Sequence, residues 1–317
     1  MNTLKRNEKG NYRGDGSMLS LDMFGFQALW SPFFFLAMVA LLAAYFLITI
    51  TWRKHINGSE PLTTRQGIIF STGVILLYII KGSPIDLMSH LMFYAHMIQM
   101  AVLYLIIPPL FIVGIPQWIW KKLLGLPVIR SLFKFFTKPI IALILFNGIF
   151  SFYHIPLIFD VIKTDMLLHT SYTMLLFLMA IFMWWPLVNQ VEGEKRLSGV
   201  KKIGYIFADG VLLTPACALI IFADVPMYAT FSDPSSWAQA LELCVSPTVL
   251  SGLNLSGPEM FNSMSLLHDQ QLGGVLMKVI QEIVYGVVLF QVFFEWYRRE
   301  QEESEPELHL LDPQTIK

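Results

Sequence analysis

Seven apolar blocks, most of them near the length that crosses a bilayer, constrain this chain more than any other feature. At 1.5 Å per helical residue, about 20 residues span roughly 30 Å of hydrocarbon. The blocks fall at about residues 28–52, 66–80, 84–113, 139–159, 166–188, 203–222 and 272–296. In lipid every backbone polar group must be satisfied within the segment, so each block is expected to be a helix. The expected fold is therefore all-α, a polytopic membrane bundle of seven transmembrane helices over residues 27–298. A polar tail, 1–26, precedes it and a cytoplasmic tail, 299–317, follows, with an outer loop at 224–271 before the last span. Met23 to Phe26 are expected to rest on the membrane surface, and Pro108-Pro109 to kink or end the third span.

Composition excludes several other classes. With 55% hydrophobic and 14% charged residues, the chain does not read as soluble, and a net charge of −1 with no basic stripe gives no footprint for nucleic acid. Cys217 and Cys244 are too few for a disulfide framework and lack zinc spacing. The basic residues near the start have no apolar core close behind them, so no signal peptide is expected.

Lysine and arginine counts set the orientation. Segments 53–66, 115–138, 189–202 and 297–317 carry 15 of them, against 6 on the opposite side and none in 224–271. This places the C-terminus inside and the N-terminus outside, although the basic N-terminal tail pulls the other way. Trp30, Trp52, Trp118, Trp120, Trp184, Trp185 and Trp296 flank the spans and are expected to form an interfacial belt.

Sidedness sorts the histidines. His90, His96, His154, His169 and His268 fall in the outer half, whereas His55 and His309 are cytoplasmic and expected to be solvated. The stretch from Ser83 to Met100 holds two of the five. Ser83, Pro84 and Asp86 read as its helix start. Intramembrane histidines are costly and point to function. On one continuous helix, Met92, His96 and Met100 form a stripe, and Asp86, His90 and Met97 another, about 120° away. The two histidines then need partners from other helices. Asp86 is placed to accept the second ring proton of His90, with Asp269 a further outer-shell acid beside His268. Imidazole with thioether suits copper, Cu(I) above all. The candidate metal ligands are the five outer histidines together with Met92, Met97, Met100 and Met264; the remaining methionines read as apolar filler.

Other polar features read mainly as structure. Lys278 and Glu282, four residues apart in the seventh span, are expected to neutralise each other, and Asp209 in the sixth needs a partner or water. Asp233-Pro234 opens a capped short helix in the outer loop, which serves either as a lid over the histidines or as a docking surface. No nucleophile–base constellation or nucleotide motif suggests an enzyme. A haem-binding membrane protein, a cation transporter and a metal-free scaffold are the alternatives.

Several blocks resemble one family. S-H-L-M-F-Y-A-H-M-I-Q-M, then I-P-P-L and G-I-P, then F-Y-H-I-P, W-W-P and H-D-Q-Q-L-G-G resemble, in order, the multi-span CtaG family of cytochrome c oxidase assembly factors of Gram-positive bacteria. The resemblance covers about residues 18–300, and that family is distinct from the single-span copper chaperone sharing its name. It implies seven spans in the plasma membrane, oxidase subunits and membrane lipid as partners, and a chaperone-like role in forming an active caa-type oxidase at a copper centre. The same five outer histidines are the ones carried over.

Overall fold

The computed structural model describes residues 21–193, 197–253 and 255–310. Most of the polar tail, two of the counted basic residues (Lys195 and Arg196) and the last seven residues lie outside them. Every described element is helical. Five helices are long and apolar enough to cross a membrane, or up to seven if each of two bent pairs is one span.

The chain begins with α1 (Phe26–Trp30) and α2 (Pro32–Phe46), which continues as a π-helical turn to Thr51. Phe24 is buried against Phe261, its ring 5.6 Å away, so it lies inside the protein and not on a membrane surface. Phe26 alone of that group is strongly exposed. Helix α3 (Thr64–Gly82) starts with a capping box in which Thr63 and Gln66 exchange hydrogen bonds. Ser83 then caps α4 (Pro84–Leu91), with Pro84 in its first turn, as the sequence indicates. Helix α4 turns 48° from α3.

The third span is not continuous. Met92 adopts extended geometry (φ −133°, ψ 135°), and α5 (Phe93–Ala101) starts afresh after it. A π-helical segment, Val102–Ile106, leads into α6 (Ile107–Gly114). Pro108 and Pro109 sit in the first turn of α6, where a missing N–H costs least. His90 and His96 consequently belong to different helices, and the stripes drawn for a straight helix do not cross Met92.

Helices α7 (Gln117–Gly125) and α8 (Pro127–Phe136) follow, and α8 bends 76° into α9 (Pro139–Tyr153). The expected fourth span stops at Tyr153, because His154 turns the chain into the short α10 (Pro156–Lys163). Helix α11 covers Met166–Val188, the bounds read from the sequence, and α12 covers Gly199–Ile221. Asp233 caps α13 (Pro234–Leu241) by accepting from the Ser236 N–H at 2.9 Å, and α14 (Pro247–Leu250) follows. Helix α15 (Leu266–Leu310) begins six residues earlier than the apolar block, so His268 and Asp269 are helical.

Four of the seven tryptophans do not form an interfacial belt. Trp118, Trp120, Trp184 and Trp185 are 0–8% exposed, while Trp30, Trp52 and Trp296 reach the surface. Trp184 donates to the Tyr104 carbonyl at 3.0 Å, and Trp120 and Phe133 pack on the Trp185 ring at 4.8 and 4.7 Å. Indole N–H groups can be satisfied across a bundle as well as at a headgroup.

Candidate functional site

The histidines converge at the end of the bundle where residues 224–271 carry no lysine or arginine. The break at Met92 puts His90 and His96 on separate helices. The Phe93 and Tyr94 N–H groups, which an unbroken helix would direct backward along the chain, donate to the Asp269 carboxylate at 2.8 and 3.1 Å. An acid on α15 thus caps α5 from another helix, compensating both orphan donors and the helix dipole. Four residues on, Gly273 lets the two helices meet: a Cβ there would lie 2.7 Å from the Phe93 ring. Gln270 accepts from the Met227 N–H at 2.7 Å, and Gln271 donates to the Ala223 carbonyl at 3.0 Å. Most of the H-D-Q-Q-L-G-G block is therefore spent on holding α5 and the loop in place.

Helix α4 folds against α5 through a polar cluster. Asp86 pairs with Lys81 at 2.7 Å and accepts from Gln99 at 2.8 Å, while Ser89 donates to Gln99 at 3.1 Å. The expected support of His90 by Asp86 is replaced by these contacts. His90 instead presents Nδ1 to the Lys163 amine at 3.3 Å. Lys163, counted in sequence as a loop charge, is 1% exposed and lies 5.4 Å over the Phe231 ring. Burial pushes its pKa down to about 7, with the Lys81 charge adding to the effect.

Four of the five outer histidines fall into two groupings. The His90 and His169 rings lie 5.8 Å apart, between α4 and α11. His96 on α5 and His154 at the end of α9 share two aromatic neighbours: Phe159 is 5.3 and 6.1 Å from them, and Tyr153 6.1 and 5.1 Å. Phe231 joins the groupings, since its ring is 6.1 Å from His96 and lies beneath Lys163. His154 Nδ1 donates to the Phe150 carbonyl at 2.8 Å, leaving Nε2 as a lone-pair nitrogen. That Nε2, both ring nitrogens of His96 and Nδ1 of His169 are buried without a hydrogen-bond partner. An unpartnered buried polar group costs about 1–3 kcal/mol, so four of them in one region favour a ligand.

His268 stands apart: it is exposed, and its own N–H takes the Ser265 hydroxyl at 3.3 Å. Met97 and Met100 are buried in the main core, Met92 packs in the loop-covered cluster with Trp237, and Met264 is partly exposed. Among the described residues, no group of three or more His, Cys, Asp or Glu side chains could hold a metal ion. The paired arrangement suits a two-coordinate ion better than a tetrahedral one. Metal–nitrogen bonds of about 2 Å on each side, plus the distance from nitrogen to ring centre, give about 6 Å between ring centres.

The loop is a cover. Asp160 accepts from the Ala229 and Thr230 N–H groups at 2.9 and 3.0 Å, and Tyr228 donates to the His154 carbonyl at 2.9 Å. The Tyr228 ring stacks on Phe93 at 4.8 Å. Cys244 lies in this cover and Cys217 in the core; both are free thiols, and burial pushes the Cys244 thiol up.

The family model for the cytochrome c oxidase caa3 assembly factor (Caa3_CtaG) matches residues 43–299. The chain belongs to that family. Searches of curated proteins and of solved structures return no match. Membership makes this a membrane protein of caa3 oxidase assembly. Lys163, Gln99 and the ring set of Tyr153, Phe159 and Phe231 were missed by sequence reasoning. One signal for Lys163 exists in the sequence: it follows Phe159 at i+4 on a short helix whose only other charge is Asp160.

Proposed function

We propose that this assembly factor takes up Cu(I) at the lysine-poor end and passes it to a copper centre of the oxidase in the plasma membrane. The carrying observation is the 5.8 Å separation of His90 and His169, next to the unpartnered nitrogens of His169, His96 and His154. Copper is cargo in this reading. Two neutral imidazoles in an apolar, aromatic-lined environment favour a monovalent soft ion over Zn(II), which prefers four ligands. The residues bind and exclude water: Phe159, Tyr153 and Phe231 wall the imidazoles, and the Tyr228–Phe231 segment roofs them. The lysine and arginine bias supports an outward orientation of this end, where oxidase subunits would accept the ion.

Anaerobic Cu(I) loading of the detergent-purified protein, read by competition with a chromophoric chelator, tests the proposal. His90→Ala and His169→Ala should each abolish retention, and His268→Ala should leave it intact. Wild-type retention in both pair variants would overturn the site. A Soret band in the purified protein would replace copper by haem.

A further inference from the structure

At the opposite, lysine-rich end, a cavity of about 600 Å³ opens at the joint of α8 and α9. Lys134, Lys138 and Lys201 line it, over a floor that includes Trp185 and Pro186. None of the three lysines forms an ion pair among the described residues, though the Lys138 amine lies 5.3 Å over the Phe135 ring, whereas Lys121 and Lys202 are ion-paired. Helix α8 explains where this cavity sits relative to lipid. It is sharply amphipathic, with Val128, Leu132 and Phe135 exposed on one face, and it turns 76° from α9. Ile140, just past the elbow, is 72% exposed. A helix with a bare apolar face and basic residues, here Arg130 and Lys134, off that face lies in the membrane interface. The elbow therefore presents its apolar side to acyl chains while Lys134 and Lys138 stand at headgroup depth.

We propose that this cavity is a binding site for the headgroup of an anionic phospholipid. Three ammonium groups with no ion-pair partner among the described residues supply charge complementarity to a phosphodiester, and the apolar floor and elbow receive the glycerol and upper acyl carbons. The volume falls within the range of pockets that hold small ligands, about 300–1,000 Å³. Near a membrane each lysine contributes about 1 kcal/mol toward an anionic lipid, or about fivefold in affinity.

The test uses the full chain in detergent, titrated with phosphatidylglycerol, phosphatidylcholine or inorganic phosphate and read by native mass spectrometry and thermal shift. Phosphatidylglycerol should bind and stabilise, and Lys134→Gln, Lys138→Gln and Lys201→Gln should each weaken it about fivefold. Lys122→Gln, on α7 and not among the lining residues, should leave it unchanged. Equal effects from phosphatidylcholine, or from the Lys122→Gln variant, would reduce the site to nonspecific adsorption and overturn the proposal. A shift with inorganic phosphate matching that of the lipid would assign a free-phosphate site instead.

Discussion

Lys163 offers the sharpest test of how the histidine end is built. Its amine is 1% exposed, 3.3 Å from His90 Nδ1, and titrates near pH 7 in the folded protein against an ordinary value of 10.5. The folded pKa is lowered, so between pH 7 and 10.5 the unfolded chain holds a proton that the folded chain has released. Stability therefore rises with pH across that window and is flat below it. Integrated from pH 7 to 9, the gain is about 2 kcal/mol, and the slope approaches 1.4 kcal/mol per pH unit, the energy of one pKa unit. Substituting Lys163→Met keeps the length and apolar stem while removing the titrating group. Thermal unfolding of the metal-free protein in detergent, from pH 6 to 9.5, should show the wild type gaining a few degrees above pH 7 relative to the variant. All other titrations are common to both proteins and cancel in the difference. Parallel curves for wild type and variant would refute the reasoning, because they would mean that the amine stays charged and solvated in the folded state.

Three further substitutions probe the frame around the site. Asp269→Ala removes the carboxylate that caps α5 and should cost about 2 kcal/mol in thermal or denaturant unfolding, with Asp269→Asn milder because one acceptor oxygen remains. Gly273→Ala gains up to about 1 kcal/mol of helix propensity but forces a Cβ to 2.7 Å from a Phe93 ring already stacked on Tyr228. Overpacking of about 1–3 kcal/mol should win, and a lower unfolding temperature checks the sign. In the core, Asp209 accepts from Tyr285 and, at 2.5 Å, from Asn147, whose own Oδ1 is buried without a partner. Asp209→Asn should cost only about 1 kcal/mol, since the remaining amide oxygen still accepts from Tyr285, and the Asn147 amide keeps its bond to the Leu143 carbonyl at 3.0 Å. Asp209→Leu should cost about 2–3 kcal/mol by stranding two donors, a difference visible in thermal shift.

What the sequence makes legible is set by how local its cause is. Ser83 and Asp233 act on N–H groups two or three residues away, and both caps are where the pattern places them. Met166–Val188 is bounded by its own composition and its own Asp165 cap, and it too is found where expected. The burial of Trp118, Trp120, Trp184 and Trp185 was not legible, because lipid and protein interior are equally apolar and composition alone does not distinguish them. The lysine–glutamate pair of the last span is local at i,i+4 and closes at 2.8 Å as expected.

The break at Met92 shows why the candidate site was only partly readable. No glycine or proline marks it; its cause is a carboxylate 176 residues from the N–H it receives. A reading along the chain gives each histidine a depth, and the structure brings His90 near His169 and His96 near His154 through shared aromatic rings. Depth gives no direction around the helix axis, so it does not separate His268, which is exposed on α15, from the other four. The adjacent pair His268–Asp269 carries the consequence. The histidine expected to ligate is exposed, and the aspartate expected to support it is the group that caps α5 at the break. Cu(I) retention should therefore weaken in Asp269→Ala, whose altered break displaces His96 relative to His90, and survive in His268→Ala. Retention unchanged in Asp269→Ala would show that the two groupings bind independently of the break that now holds them.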